Sequence, residues 1–305
     1  MAATPHKATL KRYDGTQWVP VYLGTSADIV QIGEAIEVMG SGHGVYADGD
    51  MIAATDAVST VIKKLVQTQI PPTYTAPSIS LKVTSGNAGG KYEAGTALSA
   101  VLTSTFTQND AGAITNHKIT KGGTEVVTGT DNPATYTLSE TLGDSNIVIG
   151  SNCAYAQGPL KQDNFGADYA TGRIAAGSKT ASNITYTTYR KTFYGVDSDG
   201  TTAALTESAD IRGLAGTVNG AAAGSKFSVS VPTGSTRVTI AYPATIRDMS
   251  KVEYVESGNA NVTEQFNKTT ANVEGAGGFT AISYKVYTLA WDQPTAGPMT
   301  LNVTL

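Results

Sequence analysis

The residues of this chain whose types could do chemistry are three histidines, one cysteine and a few neighbouring carboxylates. His6, His43 and His117 are far apart and lie in turn-like or polar contexts. A transition-metal site needs several such ligands at converging spacings, so the histidines read as solvent-facing turn residues. Cys153 could serve as a nucleophile beside a distant histidine. It lies in the strand-like run Ile147-Val-Ile-Gly-Ser-Asn-Cys-Ala-Tyr155, where a free cysteine is expected to be buried and inert. Asp197-Ser-Asp-Gly200 begins like a calcium loop. Such a loop needs a further ligand before the glycine and a Glu at its twelfth position. That position is Ser208, so a hairpin turn is expected instead. Glu253 and Glu256 could flank a sugar bond as a glycosidase pair does, but they read as scattered surface acids. Asn-x-Ser/Thr at Asn183, Asn261, Asn267 and Asn302 follows from the abundance of Asn and Thr. No catalytic, metal or cofactor residue is assigned, and an enzyme is not expected.

Aromatic residues carry more information. The chain has 15 Tyr against 6 Phe and 2 Trp, and tyrosine suits both sugar stacking and protein interfaces. In Ser283-Tyr-Lys-Val-Tyr-Thr-Leu-Ala-Trp291, Tyr284 and Val286 face one way and Tyr287, Leu289 and Trp291 the other. Such a strand is expected to be covered on both sides, by a second sheet, a neighbouring subunit or a ligand.

The elements that position these residues follow from composition and pattern. Charged residues are 15% of the 305, against about 25% in an average soluble protein. Thr, Ser, Asn and Gly take their place, and these suit strands and tight turns. Net charge is −4 with no basic stripe, which excludes a nucleic-acid groove as a partner surface. No run approaches the ~18 apolar residues of a membrane span. The first twelve residues lack an apolar core, so synthesis in a cytoplasm without a signal peptide is expected.

Residues 1–73 open with Thr9–Tyr13, Asp14-Gly15 and Trp18–Tyr22, the pattern of a hairpin; Pro20 marks an edge strand. A helix is expected from about Ala53 to Thr68, capped by Thr55 or Asp56. Val58, Val61, Ile62, Leu65 and Val66 form one apolar stripe on it. The hairpin or further copies of the helix must bury that stripe, and an oligomeric role is favoured. Pro71-Pro72 and Pro77 then mark an extended linker.

Residues 74–192 read as seven short strands: Ser78–Val83, Leu98–Thr107, Ile114–Lys121, Thr124–Thr128, Ala134–Ser139, Ile147–Tyr155 and Ile184–Thr192. That number suggests an Ig-sized sandwich, with a long exposed loop at 157–179. Residues 193–305 read as a second β-domain with Phe227, Val229, Val231, Val238, Ile240, Tyr242, Leu301, Val303 and Leu305 in its core. The expected fold is therefore mainly β: a small hairpin-plus-helix anchor (1–73) and two β-sandwich domains, Ig-like or jelly-roll-like (74–192 and 193–305).

Lys11-Arg-Tyr-Asp-Gly-Thr-Gln-Trp18, followed by Val21-Tyr-Leu-Gly-Thr-Ser-Ala-Asp28, resembles the N-terminal attachment motif of bacteriophage fibre and other virion-surface proteins. Thr192-Phe-Tyr-Gly195, Ser208–Leu214 and Tyr284–Tyr287 are similar to β-rich domains of phage virion proteins. The resemblance implies a protein made in the bacterial host cytoplasm and localised to the virion. Its N-terminal segment would bind a capsid or tail protein and itself, commonly as a trimer, through Trp18, Tyr22, Val58, Ile62 and Leu65. Its β-domains would project outward and adhere to host cell-surface glycan. The length, and the lack of glycine-rich shaft repeats, fit a head fibre, a decoration protein or a small tail or baseplate appendage. The alternatives are a tail or baseplate receptor-binding protein, a bacterial carbohydrate-binding or adhesin module, and a particle-borne depolymerase.

Overall fold

A computed structural model describes residues 10–13, 18–21, 35–37, 46, 50–55 and 57–305. The chain is mainly β, with several sheets, and divides into two compact units. One comprises the described residues up to Ala76 with Gln108–Ala113 and Ala156–Ala176; the other holds the remainder.

In the first unit β1 (Leu10–Tyr13) pairs antiparallel with β2 (Trp18–Val21), Tyr13 opposite Trp18 and Lys11 opposite Pro20. Both strands of a two-stranded ladder are edges, where proline is tolerated. β3 (Ile36–Glu37) pairs with β4 (Met51–Ile52). Helix α1 is shorter than its pattern predicts, Val58–Val66. Backbone at Ala57 is still extended (ψ 130°), so Ala57 takes the cap position without a side-chain bond. The expected cap at Thr55 or Asp56 is thus corrected: Thr55 lies upstream of the cap position, and Asp56 lies outside the described residues. Lys63 and Lys64 fall in the last turn, where cations complement the helix dipole.

The proline segment is extended, but it is not a free linker. Gln69 Nε2 donates to Asp163 (2.6 Å) and Ile70 N to Asn164 Oδ1 (2.7 Å). The Tyr74 hydroxyl donates to the Tyr169 carbonyl (2.6 Å) and accepts from Lys161 N (2.7 Å). Asp110 accepts from Thr75 N (2.6 Å) and Lys161 Nζ (2.7 Å). The loop at 157–179 is largely exposed, as expected, and it also holds residues 69–75 through these bonds.

The second unit begins with β5 (Ser78–Gly86), β6 (Gly90–Glu93), β7 (Ala97–Thr107), β8 (Ile114–Lys121), β9 (Thr124–Gly129), β10 (Ala134–Thr141) and β11 (Ile147–Tyr155). After the short strands β12 (Lys161–Gln162) and β13 (Asp168–Tyr169) of that loop come β14 (Gly177–Thr180) and β15 (Ile184–Tyr189). Strands β10-β7-β5 form one sheet and β6-β15-β11-β8-β9 the other, with β14 added to β11. Alternation on β7 buries Leu98, Ala100, Leu102, Ser104 and Phe106. Leu98, Ala100, Leu102 and Leu138 from one sheet meet Ile119, Ile149 and Tyr186 from the other in one core.

The strand expected at 184–192 is two. It breaks at Arg190, and β16 (Lys191–Asp197) enters a different sheet. Next come α2 (Ser208–Arg212), β17 (Gly216–Asn219), β18 (Lys226–Val231), β19 (Arg237–Pro243), β20 (Lys251–Tyr254), β21 (Ala260–Asn261), β22 (Asn267–Val273), β23 (Ile282–Ala290) and β24 (Met299–Thr304). Sheets β17-β16-β19-β23-β22 and β18-β24-β20-β21 share a core that includes Val229, Val238, Ile240, Tyr242, Leu301 and Val303. Every residue of β19 is buried. Its second face, with Phe193, Tyr284 and Val286, packs against Ile211 of α2 and Leu205 and Leu214 beside it. Both covers of β23 therefore come from the chain itself.

The two sheet pairs meet in a tight joint. Burial pushes the Glu93 carboxyl up, but hydrogen bonds from Arg212 (2.6 Å) and Lys191 (3.1 Å) outweigh it and hold the group below its ordinary range. Arg190 grips Asp144 bidentately (2.7 and 2.8 Å) and donates to the Thr280 carbonyl (3.0 Å). Ala276 N donates to the Ala94 carbonyl (2.8 Å). Gly95 sits at φ +97°, and a Cβ there would lie 2.1 Å from the Ala276 oxygen, so only glycine permits this approach.

Candidate functional site

Helix α1 presents the most conspicuous surface. Val61 is buried against Ile52, with Tyr46 packed alongside. The rest of the stripe turns outward: Ile62 is 52% exposed, Leu65 36% and Val66 73%. Val58 is half-buried. A nine-residue helix is too short to be stable on propensity alone. Each such side chain gains roughly 1.5–3 kcal/mol when fully buried, so the stripe can drive association. Val58, Ile62 and Leu65 are thus brought to one helix flank. Trp18 stands opposite Tyr13 in the β1–β2 ladder, and Tyr22 lies outside the described residues.

A second concavity opens at one end of the later sheet pair, a hollow of about 330 Å³. It is lined by the buried core residues Leu289 and Leu301, by the half-buried Tyr254, Trp291 and Met299, and by the polar Ser257, Asn261 and Gln265. The two-residue strand β21 and the short turns on either side of it, at Val255–Ser257 and Thr263–Gln265, carry these polar residues. A larger cleft of about 630 Å³ lies at the joint. Its Arg190 holds Asp144 through Nε and Nη2, while the buried Nη1 has no hydrogen-bond partner among the described residues.

No protein-family model matches the chain, and a search of curated proteins finds no match.

The residues singled out for chemistry are placed as follows. His117 is not a solvent-facing turn residue: it lies in β8 and is 1% exposed. Its alternation position on a half-buried strand fixes it inward, and its polar atoms are satisfied there. Nδ1 donates to the Asp131 carbonyl (2.9 Å) and Nε2 lies 2.8 Å from Ser104 Oγ. Ser104 in turn lies 2.6 Å from Ser151 Oγ. A serine–histidine contact could activate a nucleophile, but this one is sealed between two sheets and crosslinks them. His6 and His43 lie outside the described residues. Cys153 is fully buried in β11 and burial pushes its thiol up, which makes the reactive thiolate scarce. Asp197 binds the buried Arg237 through Nε (2.9 Å), and Asp199 accepts from Thr201 N (2.9 Å), closing its own turn. Glu253 pairs with Lys251 (2.6 Å), and Glu256 accepts from Thr300 N (2.7 Å). Among the described residues no three His, Cys, Asp or Glu side chains converge on a common point.

Sequence reasoning missed the hollow and the joint. Trp291 was legible as a strand-face aromatic, but Asn261 and Gln265 join it only through the fold. Glu93, Arg190 and Arg212 are ordinary charges until the chain pairs them.

Proposed function

We propose that this chain is a bacteriophage virion structural protein, a particle-anchored fibre or decoration protein. Residues up to 73 attach it to a capsid or tail protein and join copies of it, most simply as a trimer. The two sheet pairs act as two β-sandwich domains, Ig-like or jelly-roll-like, that project outward and adhere to host-surface glycan. Weak adhesion per site is multiplied by many copies on one particle.

The observation that carries this reading is the outward stripe of Ile62, Leu65 and Val66 on α1. It stands just before a proline segment that is clamped rather than loose. An apolar face on a small helix, followed by a chain segment held within the same unit, is suited to an anchor. The attachment-like motif at Lys11–Trp18 supports it from the sequence side.

The test has two parts. The full chain should have the solution mass of a homo-oligomer, and a chain beginning at Tyr74 that of a monomer. Mass spectrometry of virions purified from the strain that makes the chain should detect it. Absence from the virions would defeat the reading.

The aromatic hollow favours a second reading, a bacterial carbohydrate-binding module. In that case the chain would be found on cells and not on particles.

A further inference from the structure

We infer that the hollow lined by Tyr254 and Trp291 is a binding site for a neutral saccharide. The inference rests on the adhesive role proposed above and adds where the glycan sits and which chemistry it has. At about 330 Å³ the hollow is at the small end of ligand pockets. A pyranose ring has a C–H face and a rim of hydroxyls. Aromatic faces carry the negative side of their quadrupole and attract the C–H face. Tyr254 and Trp291 both line the hollow, and Met299 adds a polarizable thioether.

The polar lining supplies the complement. Asn261 Oδ1 is occupied by Thr263, accepting from its N (3.0 Å) and its hydroxyl (2.6 Å). That fixes the amide and leaves its Nδ2 donors uncommitted. The Gln265 amide and the Ser257 hydroxyl both line the hollow. Together these groups offer donors and acceptors without charge.

Charge decides the class of sugar. No Asp, Glu, His, Lys or Arg lines the hollow. Four acids adjoin the lining residues in sequence, Glu253, Glu256, Glu264 and Asp292, and none of them lines the hollow; Glu256 accepts from Thr300 N and Glu253 pairs with Lys251. A carboxylated or phosphorylated sugar would find no counter-charge, so a neutral hexose or N-acetylhexosamine fits.

The experiment screens the full chain against an array of neutral hexose and N-acetylhexosamine oligosaccharides, with acidic glycans beside them. The best neutral glycan is then titrated against the parent, Trp291→Ala, and the double variant Asn261→Ala/Gln265→Ala. Asn261→Ala also gives up the two bonds that its Oδ1 accepts from Thr263, so thermal midpoints are measured first and binding is compared at a temperature where every variant is folded, with Gln265→Ala alone as the change that removes no such bond. Each variant should weaken binding about tenfold or more, the scale of one aromatic contact. Retention of no neutral glycan, preference for acidic ones, or unchanged affinity in every variant would overturn the site. A chain found on virions that binds no glycan would sink this inference and leave the structural role. Glycan binding that depends on Trp291, in a chain absent from virions, would do the reverse.

Discussion

Two apolar stripes of this molecule meet opposite fates. On β19, Val238, Ile240 and Tyr242 are wholly buried. On α1, Ile62, Leu65 and Val66 point outward. Both patterns are regular, with period two on the strand and 3.6 on the helix, and both signal a face that must leave water. The difference lies in what the chain provides opposite them. A strand in a sheet pair faces a second sheet ten ångströms or so away, and β19 is backed on its other side by α2. Among the described residues, Ile52 and Tyr46 pack with Val61 of α1, while Ile62, Leu65 and Val66 stay exposed. Pattern states that burial is required; topology decides whether the cover is internal.

This contrast can be broken at several points. Leu301→Ala removes a core side chain and should destabilise the fold by about 2–5 kcal/mol in denaturant unfolding, with the solution mass unchanged. Ser104→Ala leaves His117 Nε2 facing an apolar methyl between two sheets and should cost about 1–3 kcal/mol, again without altering mass. Ile62→Asp with Leu65→Asp should move unfolding of the sheets by no more than about 0.5 kcal/mol, yet reduce the solution mass to one chain. Dissociation in Leu301→Ala, or unfolded sheets in the helix double variant, would erase the distinction.

The smallest effect concerns Asp248, an exposed acid beside Lys268 (2.7 Å) and Lys285 (2.8 Å). Hydrogen bonds from these lysines lower its carboxyl to about 2. A depressed folded value means that its contribution is present above the ordinary carboxylate range and lost as pH falls through about 2. A carboxyl NMR titration should find that midpoint, and Lys268→Ala should raise it. At this exposure the pair should barely alter unfolding at neutral pH.

Much of the β-architecture was legible because alternation is a local signal. The limits of Ile114–Lys121 and Ile147–Tyr155 match the observed strands, and β7 buries the residues its pattern marks. Ser104 breaks that pattern in sequence but keeps its place in the core, because His117 and Ser151 satisfy it. His117 was misread for the same reason: its partners are remote in sequence. Helix α2 left no periodic trace in five residues. The break at Arg190 was invisible because Asp144 and Thr280, which hold it, lie 46 and 90 positions away. Of the candidate sites, the α1 stripe could be read directly, whereas the hollow collects its lining from four strands and two turns.

The joint has a mechanical consequence. A single residue, Arg190, separates β15 from β16. On either side, the Glu93 and Arg190 clamps and the Ala94–Ala276 backbone bond tie the sheet pairs together. No slack segment is available to absorb a tug, so load on one sheet pair passes straight to the other. A variant such as Gly95→Ala, which forces the backbones apart, would insert compliance where the native molecule is stiff. Under flow or Brownian buffeting, the native chain would keep the Trp291 hollow at a fixed heading relative to the first sheet pair, and the loosened chain would let it swing.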